Sequence, residues 1–352
     1  PPRNPSSSAI PNAMASELKA RLLTFLKGAL AVGLLALVMW RVDWGVFFDT
    51  IAGADPVWVG AMVMVDVGDR FFMSAKWQYL LRHMGVRVRL LSALVHNLRG
   101  GLMERVVQWS VGGDIARTAG LSHETGQTEP VVMSVIIEKV VGLSALGTLA
   151  AGSFYLLNLE HGVVPWYWAL PACIIGAGGL FVLPFVMMRD RVVTLITRLS
   201  RAIPSETMQD WFSQLPDLRR HWRVPTRPLL VFYGLTAVEQ LVSTVNLLLL
   251  GTAFGLGVTV VEAISVMPIA TFFSRLPITT QALGVREGLY VLMLGFIGVG
   301  AAEAFALALT VRVSHTVVFG VGTLVTVPLQ RTQDVEASPK PEPSAAEVQS
   351  RR

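Results

Sequence analysis

The chain has 352 residues, of which 53% are hydrophobic and 15% charged, with a formal net charge of +5 and a mean hydropathy of +0.55. This composition is too apolar for a soluble domain and is typical of a protein that crosses a membrane several times. The basic residues flank apolar runs and form no aromatic-interleaved face, which excludes nucleic-acid binding. The single cysteine, Cys173, excludes an internal disulfide and a cysteine-rich metal site.

The two ends of the chain are polar and are predicted to be disordered tails. Residues 1–20 are rich in proline and serine, and residues 329–352 carry four basic and four acidic residues. Residues 21–328 are predicted to form a single membrane domain between them.

Seven or eight apolar segments are predicted to cross the membrane, since a helical span needs about 20 mainly apolar residues. In chain order they are residues 22–40, 57–81, 131–157, 165–188, 228–251, 258–283, 287–300 and 303–327. The predicted fold is therefore an all-α integral membrane protein, with one or two of these segments broken or re-entrant.

The charges between the apolar segments predict which loops face the cytoplasm of a bacterial cell. Lys19, Arg21 and Lys27 precede or enter the first segment, so the N-terminus is placed in the cytoplasm. The basic loop, residues 189–227, has eight arginines against four acids, which places it in the cytoplasm as well. The corresponding membrane is the inner, cytoplasmic one.

Two segments are too broken for an ordinary span. Residues 83–130 begin and end on the cytoplasmic side and contain no uninterrupted apolar run, which favours a re-entrant hairpin over a pair of short spans. Residues 258–283 are cut by Pro268, Arg275 and Pro277. The pattern allows this segment to span or to re-enter, and it leaves the side of the C-terminus open.

Charged residues inside the apolar segments predict a polar interior, because a charge near the bilayer centre costs roughly 2.5–3.5 kcal/mol on insertion scales. Asp66 and Arg70 lie four residues apart in the second segment and are predicted to pair. Glu138 and Lys139 lie within the third.

Two stretches share one plan, in which a broken apolar segment leads to glycine, an acid and an arginine, and then a long span. The first is Gly112-Gly113-Asp114-Ile115-Ala116-Arg117 and the second Leu276 to Gly288. Transporters built from inverted repeats place interrupted helices in this way, with helix N-termini facing an anion and glycines allowing close approach. The structural alternative is a surface loop with an ordinary ion pair.

These stretches also resemble a known family. Residues Asn97 to Leu121, around Gly-Gly-Asp-Ile-Ala-Arg, and the Leu-Pro turn leading to Gly284-Val285-Arg286-Glu287-Gly288 are similar to the two signatures of the lysylphosphatidylglycerol synthase transmembrane family. These are flippase-like membrane domains related to the N-terminal part of multiple peptide resistance factor. The chain has Trp109-Ser110-Val111 where the family usually has Leu-Pro, and Glu138-Lys139 where it has Asp-Arg.

The resemblance implies a protein that translocates or handles a polar, anionic lipid with no ATPase of its own. The substrate-binding residues predicted on this basis are Gly112, Gly113, Asp114, Arg117, Glu138, Lys139, Arg275, Pro277, Gly284, Arg286 and Glu287. The arginines would attract the head group, and the acids would hold the arginines or contact a cationic part of the lipid.

The sequence contains no recognised catalytic motif, and the six histidines lack metal-ligand spacing. We therefore expect no enzymatic activity, no metal and no cofactor. The resemblance implies that lysyl transfer belongs to a soluble domain of longer relatives, which we do not expect in this chain. Two other functions stay open. One is a membrane-embedded transferase with Asp114 or Glu287 as base, and the other is a non-transporting partner of a lipid-modifying enzyme, docked through the basic loop. The sequence does not fix the oligomeric state.

Overall fold

The computed structural model describes residues 39–107, 112–162, 164–186, 224–275 and 284–337, together with Gly33 and Ala36. Eleven helices are defined within these ranges. They are α1 (Trp44–Ala52), α2 (Pro56–His83), α3 (Leu90–Val107), α4 (Gly112–Thr125), α5 (Thr128–His161), α6 (Trp166–Val186), α7 (Thr226–Gln240), α8 (Val242–Ala253), α9 (Val260–Arg275), α10 (Val285–Gly295) and α11 (Ala301–Ala337).

The all-α prediction is confirmed. Four helical segments of the described chain are long and apolar enough to cross a membrane, namely Thr128–Glu160, Trp166–Phe185, Thr226–Ala253 and Ala301–Thr326. The pair α1 and α2, bent by 85°, would make a fifth. Fewer long spans are found than the predicted seven or eight because α9 and α10 have only 16 and 11 residues. The predicted span 22–40 lies almost wholly outside the described residues.

The helices present apolar side chains outwards and keep charges inside. Ile175 on α6 and Leu324 on α11 are 74% and 76% exposed, whereas Asp66 and Glu287 are 0% and 3% exposed. A water-soluble protein shows the opposite tendency for its charged residues. The arrangement suits a protein whose outer surface meets hydrocarbon and whose polar groups face one another.

Helices α3 and α4 form an antiparallel hairpin. Ser92 near the start of α3 contacts Glu124 near the end of α4, while Gly100 contacts Gly113 at the opposite end. The hairpin therefore brings residues 90 and 125 to the same end, as a re-entrant segment requires. Its position relative to the membrane stays a prediction.

The order of elements repeats along the chain. A span, a pair of short helices and a long helix occur first as α2, α3–α4 and α5, and again as α7–α8, α9–α10 and α11. The packing is crossed between the two halves: α3 of the first half packs on α11, the long helix of the second, and α9 of the second half packs on α5, the long helix of the first. For example, the Ser153 hydroxyl of α5 donates a 2.6 Å hydrogen bond to the Ile264 carbonyl of α9. The two sequence halves thus share one interior.

Cysteine accessibility tests the predicted topology. Single cysteines at Arg87, His123 and Arg201, in a Cys173→Ser background, should stay unlabelled by a membrane-impermeant thiol reagent on intact cells and react once the membrane is opened. His123 is chosen because its side chain is exposed, whereas the neighbouring Glu124 holds the hairpin together. Labelling of His123→Cys in intact cells, with Arg87→Cys protected, would show that residues 83–130 cross the bilayer and would rule out a re-entrant hairpin.

Candidate functional site

Arg117 lies at the centre of a buried ion-pair network contributed by α4 and α5. Its guanidinium lies 3.0 Å from Asp114 and 3.0 Å from Glu138, and the Lys139 ammonium lies 2.8 Å from the other Asp114 oxygen. The Arg117 and Glu138 side chains are only 6% and 8% exposed. The structure thus brings together four of the predicted site residues, and it pairs Asp114 with Arg117.

Two further helices hold the Arg117 network in place. Asn97 of α3 accepts a 3.0 Å hydrogen bond from Arg117, and Trp77 of α2 lies under the guanidinium with 5.1 Å between the ring centre and Cζ. The indole N–H of Trp77 in turn donates to the Ser134 hydroxyl at 2.9 Å. The Arg117 guanidinium therefore already has two carboxylates, an amide oxygen and an aromatic ring as partners. These contacts give it a structural role, which differs from the predicted role of attracting a head group.

The glycine pair at the α3–α4 crossing explains why α4 can begin so close to α3. A Cβ atom added at Gly113 would lie 2.5 Å from the Gly100 carbonyl oxygen, and one added at Gly100 would lie 2.6 Å from the Gly113 carbonyl oxygen. Gly113 was predicted to allow close approach of a ligand. It instead allows close approach of another helix backbone.

Gly113→Ala should lower the thermal stability of the purified protein markedly. The methyl group would meet a backbone carbonyl, which cannot rotate away, and overpacking of this kind costs roughly 1–3 kcal/mol. The matched control is Gly152→Ala, also on a helix but with nothing within 4 Å of an added Cβ, where alanine should be neutral or slightly stabilising. Equal melting temperatures of Gly113→Ala and wild type would contradict this close contact.

A second charged region, the arginine cluster, is formed by Arg70, Arg105, Arg275, Arg286 and Arg312. Arg105 and Arg275 each lie within electrostatic range of Arg286, and each also lies within electrostatic range of Arg70. The members come from α2, α3, α9, α10 and α11. Five helices distributed over both sequence halves therefore direct positive charge towards one region.

Phe319 of α11 supports two members of the arginine cluster at once. Its ring centre lies 4.8 Å from Cζ of Arg70 and 4.1 Å from Cζ of Arg105. The ring fits against Gly101 of α3, where an added Cβ would lie 1.9 Å from a ring carbon. Contacts between guanidinium groups and an aromatic ring are favourable, so Phe319 offsets part of the repulsion between the two arginines and fixes their positions.

Glu287 has a structural role at the start of α10. Its carboxylate accepts a 2.9 Å hydrogen bond from the backbone N–H of Gly284, which has φ of +75° and caps the helix. Its other oxygen accepts a 2.8 Å hydrogen bond from Arg312 Nε. Gly284 therefore lies at a helix start, directly before Val285. The acid, however, holds Arg312 of α11 and does not hold its neighbour Arg286.

A third polar group, the Asp66 node, lies between α2, α8 and α11. Asp66 accepts hydrogen bonds from Asn246 at 2.8 Å, Ser314 at 2.6 Å and His315 at 3.1 Å. The predicted pair of Asp66 with Arg70 is wrong, because Arg70 pairs with the adjacent Asp69. Donors from two distant helices satisfy Asp66 instead.

The open end of the α3–α4 hairpin is held by a polar clamp. His96 Nε2 lies 2.9 Å from one Glu124 oxygen, and the Ser92 hydroxyl donates to the same carboxylate at 2.5 Å. Hydrogen bonding from His96 and then from Ser92 holds the pKa of the Glu124 carboxyl below its usual value. The clamp therefore stabilises the hairpin above the unfolded pKa of Glu124, and this contribution is lost as the pH falls through the lowered value.

The predicted site residues divide between these regions. Asp114, Arg117, Glu138 and Lys139 form the Arg117 network, Arg275 and Arg286 belong to the arginine cluster, and Pro277 lies outside the described residues. The sequence reasoning missed Arg312, His315 and Phe319 as site residues. A charged residue and a histidine within the apolar segment 303–327 were the available signal. Within the described ranges, no group of three or more His, Cys, Asp or Glu residues is arranged to hold a metal ion.

The fold and the charged interior define an integral membrane protein with two pairs of short helices packed among longer spans. The family model described as lysylphosphatidylglycerol synthase TM region matches residues 24–322, which is most of the chain. The chain therefore belongs to this family, as its motifs indicated, and is a membrane protein of lipid metabolism or handling. No curated protein and no solved structure matches it.

Proposed function

We propose that this protein translocates an anionic lipid across the bacterial cytoplasmic membrane, with the head group bound by the arginine cluster. The N-terminus and the basic loop lie in the cytoplasm in this proposal. The acyl chains stay in the bilayer, so only the head group needs a polar path. Family membership supports a role with lipids, and the arginine cluster is the observation that supports an anionic substrate.

The strongest support is that three of the five arginines form no ion pair within the described residues. Arg70 pairs with Asp69 and Arg312 pairs with Glu287, but Arg105, Arg275 and Arg286 form no ion pair with any carboxylate of the described residues. Positive charges in a bilayer interior are costly unless a partner or a polar pathway compensates them. A phosphate, which accepts forked hydrogen bonds from guanidinium groups, would supply the missing negative charge.

The charge balance of the arginine cluster and the charged residues around it favours a head group with one negative charge. Among the described residues, the region contains six basic side chains and five acidic ones. The basic ones are Arg70, Lys76, Arg105, Arg275, Arg286 and Arg312, and the acidic ones are Asp66, Asp69, Glu104, Glu239 and Glu287. The adjoining segments 108–111 and 276–283 contain no charged residue. A phosphodiester would neutralise the excess.

Asp114 and Glu287, the two carboxylates that could act as catalytic bases, are engaged in other contacts. Asp114 pairs with both Arg117 and Lys139, while Glu287 caps α10 and pairs with Arg312. A general base needs an oxygen within reach of the proton that it removes. These contacts support lipid translocation over transferase chemistry.

Reconstitution into liposomes tests the proposal. Purified protein should speed the movement of a fluorescent phosphatidylglycerol between leaflets, measured by quenching the outer leaflet with dithionite. A matched zwitterionic probe, fluorescent phosphatidylcholine, should move more slowly. A covalently altered lipid product would favour the transferase, and the absence of both movement and product would favour the non-transporting partner. Either result would overturn the proposal.

A further inference from the structure

The Asp66 node contains a histidine that the binding of an anionic head group does not use. We propose that His315 binds a proton that is co-transported with the anionic lipid, so that the protein works as a proton–lipid symporter. This inference rests on the proposed function and adds to it the ion that drives transport. Chains of acids and histidines inside membrane proteins are typical proton sites.

The hydrogen bonds identify the atom that would take the proton. Asp66 is surrounded by three donors, which is the environment of an ionised carboxylate that only accepts. His315 faces Asp66 through Nε2, so in the neutral ring Nε2 carries the hydrogen and Nδ1 has a free lone pair. No described residue hydrogen-bonds to Nδ1, and the side chain is 19% exposed. Uptake forms one N–H bond at Nδ1, and release to water on the other side breaks it.

The charged groups around His315 decide how the proton affects the lipid site. Asp66 and Arg70 face it from α2 and Arg286 faces it from α10, while α8 contributes only the uncharged Asn246. Asp69 is near Asp66 on the same helix, and Arg312 lies one turn before His315 on α11. Two arginines of the lipid-binding cluster thus lie within electrostatic range of the imidazole.

Proton binding and anion binding should therefore reinforce each other. A proton on His315 is repelled by Arg70 and Arg286 while the site is empty, and a bound anion cancels that repulsion. By linkage, the proton raises the affinity for the anion by the same factor. The doubly loaded protein differs from the empty one by no net charge, since one proton and one monoanion cancel. Lipid is then driven towards the alkaline side.

The test uses the full-length protein in liposomes with fluorescent phosphatidylglycerol and a pH difference of either sign. Valinomycin and potassium hold the voltage at zero. For one proton per lipid, a difference of about one pH unit supports up to about tenfold enrichment of the probe in the leaflet on the alkaline side. Reversing the gradient should reverse the enrichment, and collapse of the gradient by a protonophore should abolish it.

The decisive variant is His315→Gln, whose amide can still donate to Asp66 but cannot carry the proton. It should lose the pH-driven enrichment, and lipid movement at equal pH on both sides is measured alongside. His96→Gln is the matched control, because His96 is also buried against a carboxylate but lies in the clamp with Glu124. It should keep the enrichment. Melting temperatures and size-exclusion profiles confirm that both variants fold.

The outcomes separate this inference from the function on which it rests. If the wild type moves the probe but shows no enrichment under a pH gradient, the symport is wrong and the translocation stands. If the wild type does not move the probe, both are wrong. Enrichment that persists in folded His315→Gln would show that another group carries the proton. Loss of movement at equal pH in folded His315→Gln would place His315 in lipid binding instead.

Discussion

Replacement of Arg286 by alanine is expected to reduce lipid movement to the rate of protein-free liposomes, while expression and membrane insertion persist. Arg286 has no acidic partner among the described residues, and its guanidinium lies over Tyr290 with 5.6 Å between Cζ and the ring centre. It lies near Arg105 and Arg275 at the centre of the cluster. A hydrogen bond to a charged group is worth about 1.5–3 kcal/mol, which corresponds to a loss of roughly 10–150-fold in binding for each bond.

Two comparisons make the Arg286 result specific. Arg286→Lys keeps the charge but loses the planar fork that matches a phosphate, so it should also be impaired. Arg227→Ala removes an exposed arginine at the start of α7 and should leave the rate unchanged. Full transport by folded Arg286→Ala would show that the cluster does not bind the head group.

The largest loss of stability is expected from Arg117→Met. The substitution leaves Glu138 with its side chain 8% exposed and without its cationic partner, and removing one member of a buried pair costs roughly 3–5 kcal/mol. Replacing both members, in Arg117→Met/Glu138→Leu, should recover most of that loss because no buried charge remains unpaired at these positions. Thermal unfolding of Arg117→Met, Glu138→Leu and the double variant measures the coupling between the two residues.

The control for this series is Glu160→Gln, an exposed residue near the end of α5, which should be neutral. Strictly additive effects of the Arg117 and Glu138 substitutions would contradict an ion pair between them. The activity of the double variant carries separate information. A stable but inactive double variant would restore the head-group role that the sequence motif suggested for Arg117.

Local features of the fold were predictable from the sequence because they depend on nearby residues. Asp114 and Arg117 share a helix face at a spacing of three residues, and Gly284 begins a helix at a positive φ. The wrong pairing involves a residue, Asp66, that had a local partner available but used distant ones. Asp66 could reach Arg70 on its own helix, yet it bonds to Ser314, which is 248 positions away.

The composition of the candidate site was less predictable than its motifs. A single sequence shows that charges lie in apolar segments, but it does not show which segments are neighbours. Lys76 pairs with Glu239, 163 positions later, and Arg312 pairs with Glu287. Because α3 packs on α11, Phe319 contacts both Arg70 and Arg105. The local periodicity of the sequence does not predict such a contact.

The crossed packing also bears on how the protein is made. Ribosomes deliver α2 and α3 to the membrane long before α11, yet α11 carries the Ser314 and His315 that bond to Asp66 and the Phe319 that fits against Gly101. Until about residue 320 has emerged, Asp66 lacks two of its three donors. The first half of the chain therefore enters the bilayer with buried polar groups that lack their hydrogen-bond partners, and α11, the last of the described helices to be synthesised, supplies those partners. Chains cut short before α11 should accordingly be held by the insertion machinery or degraded.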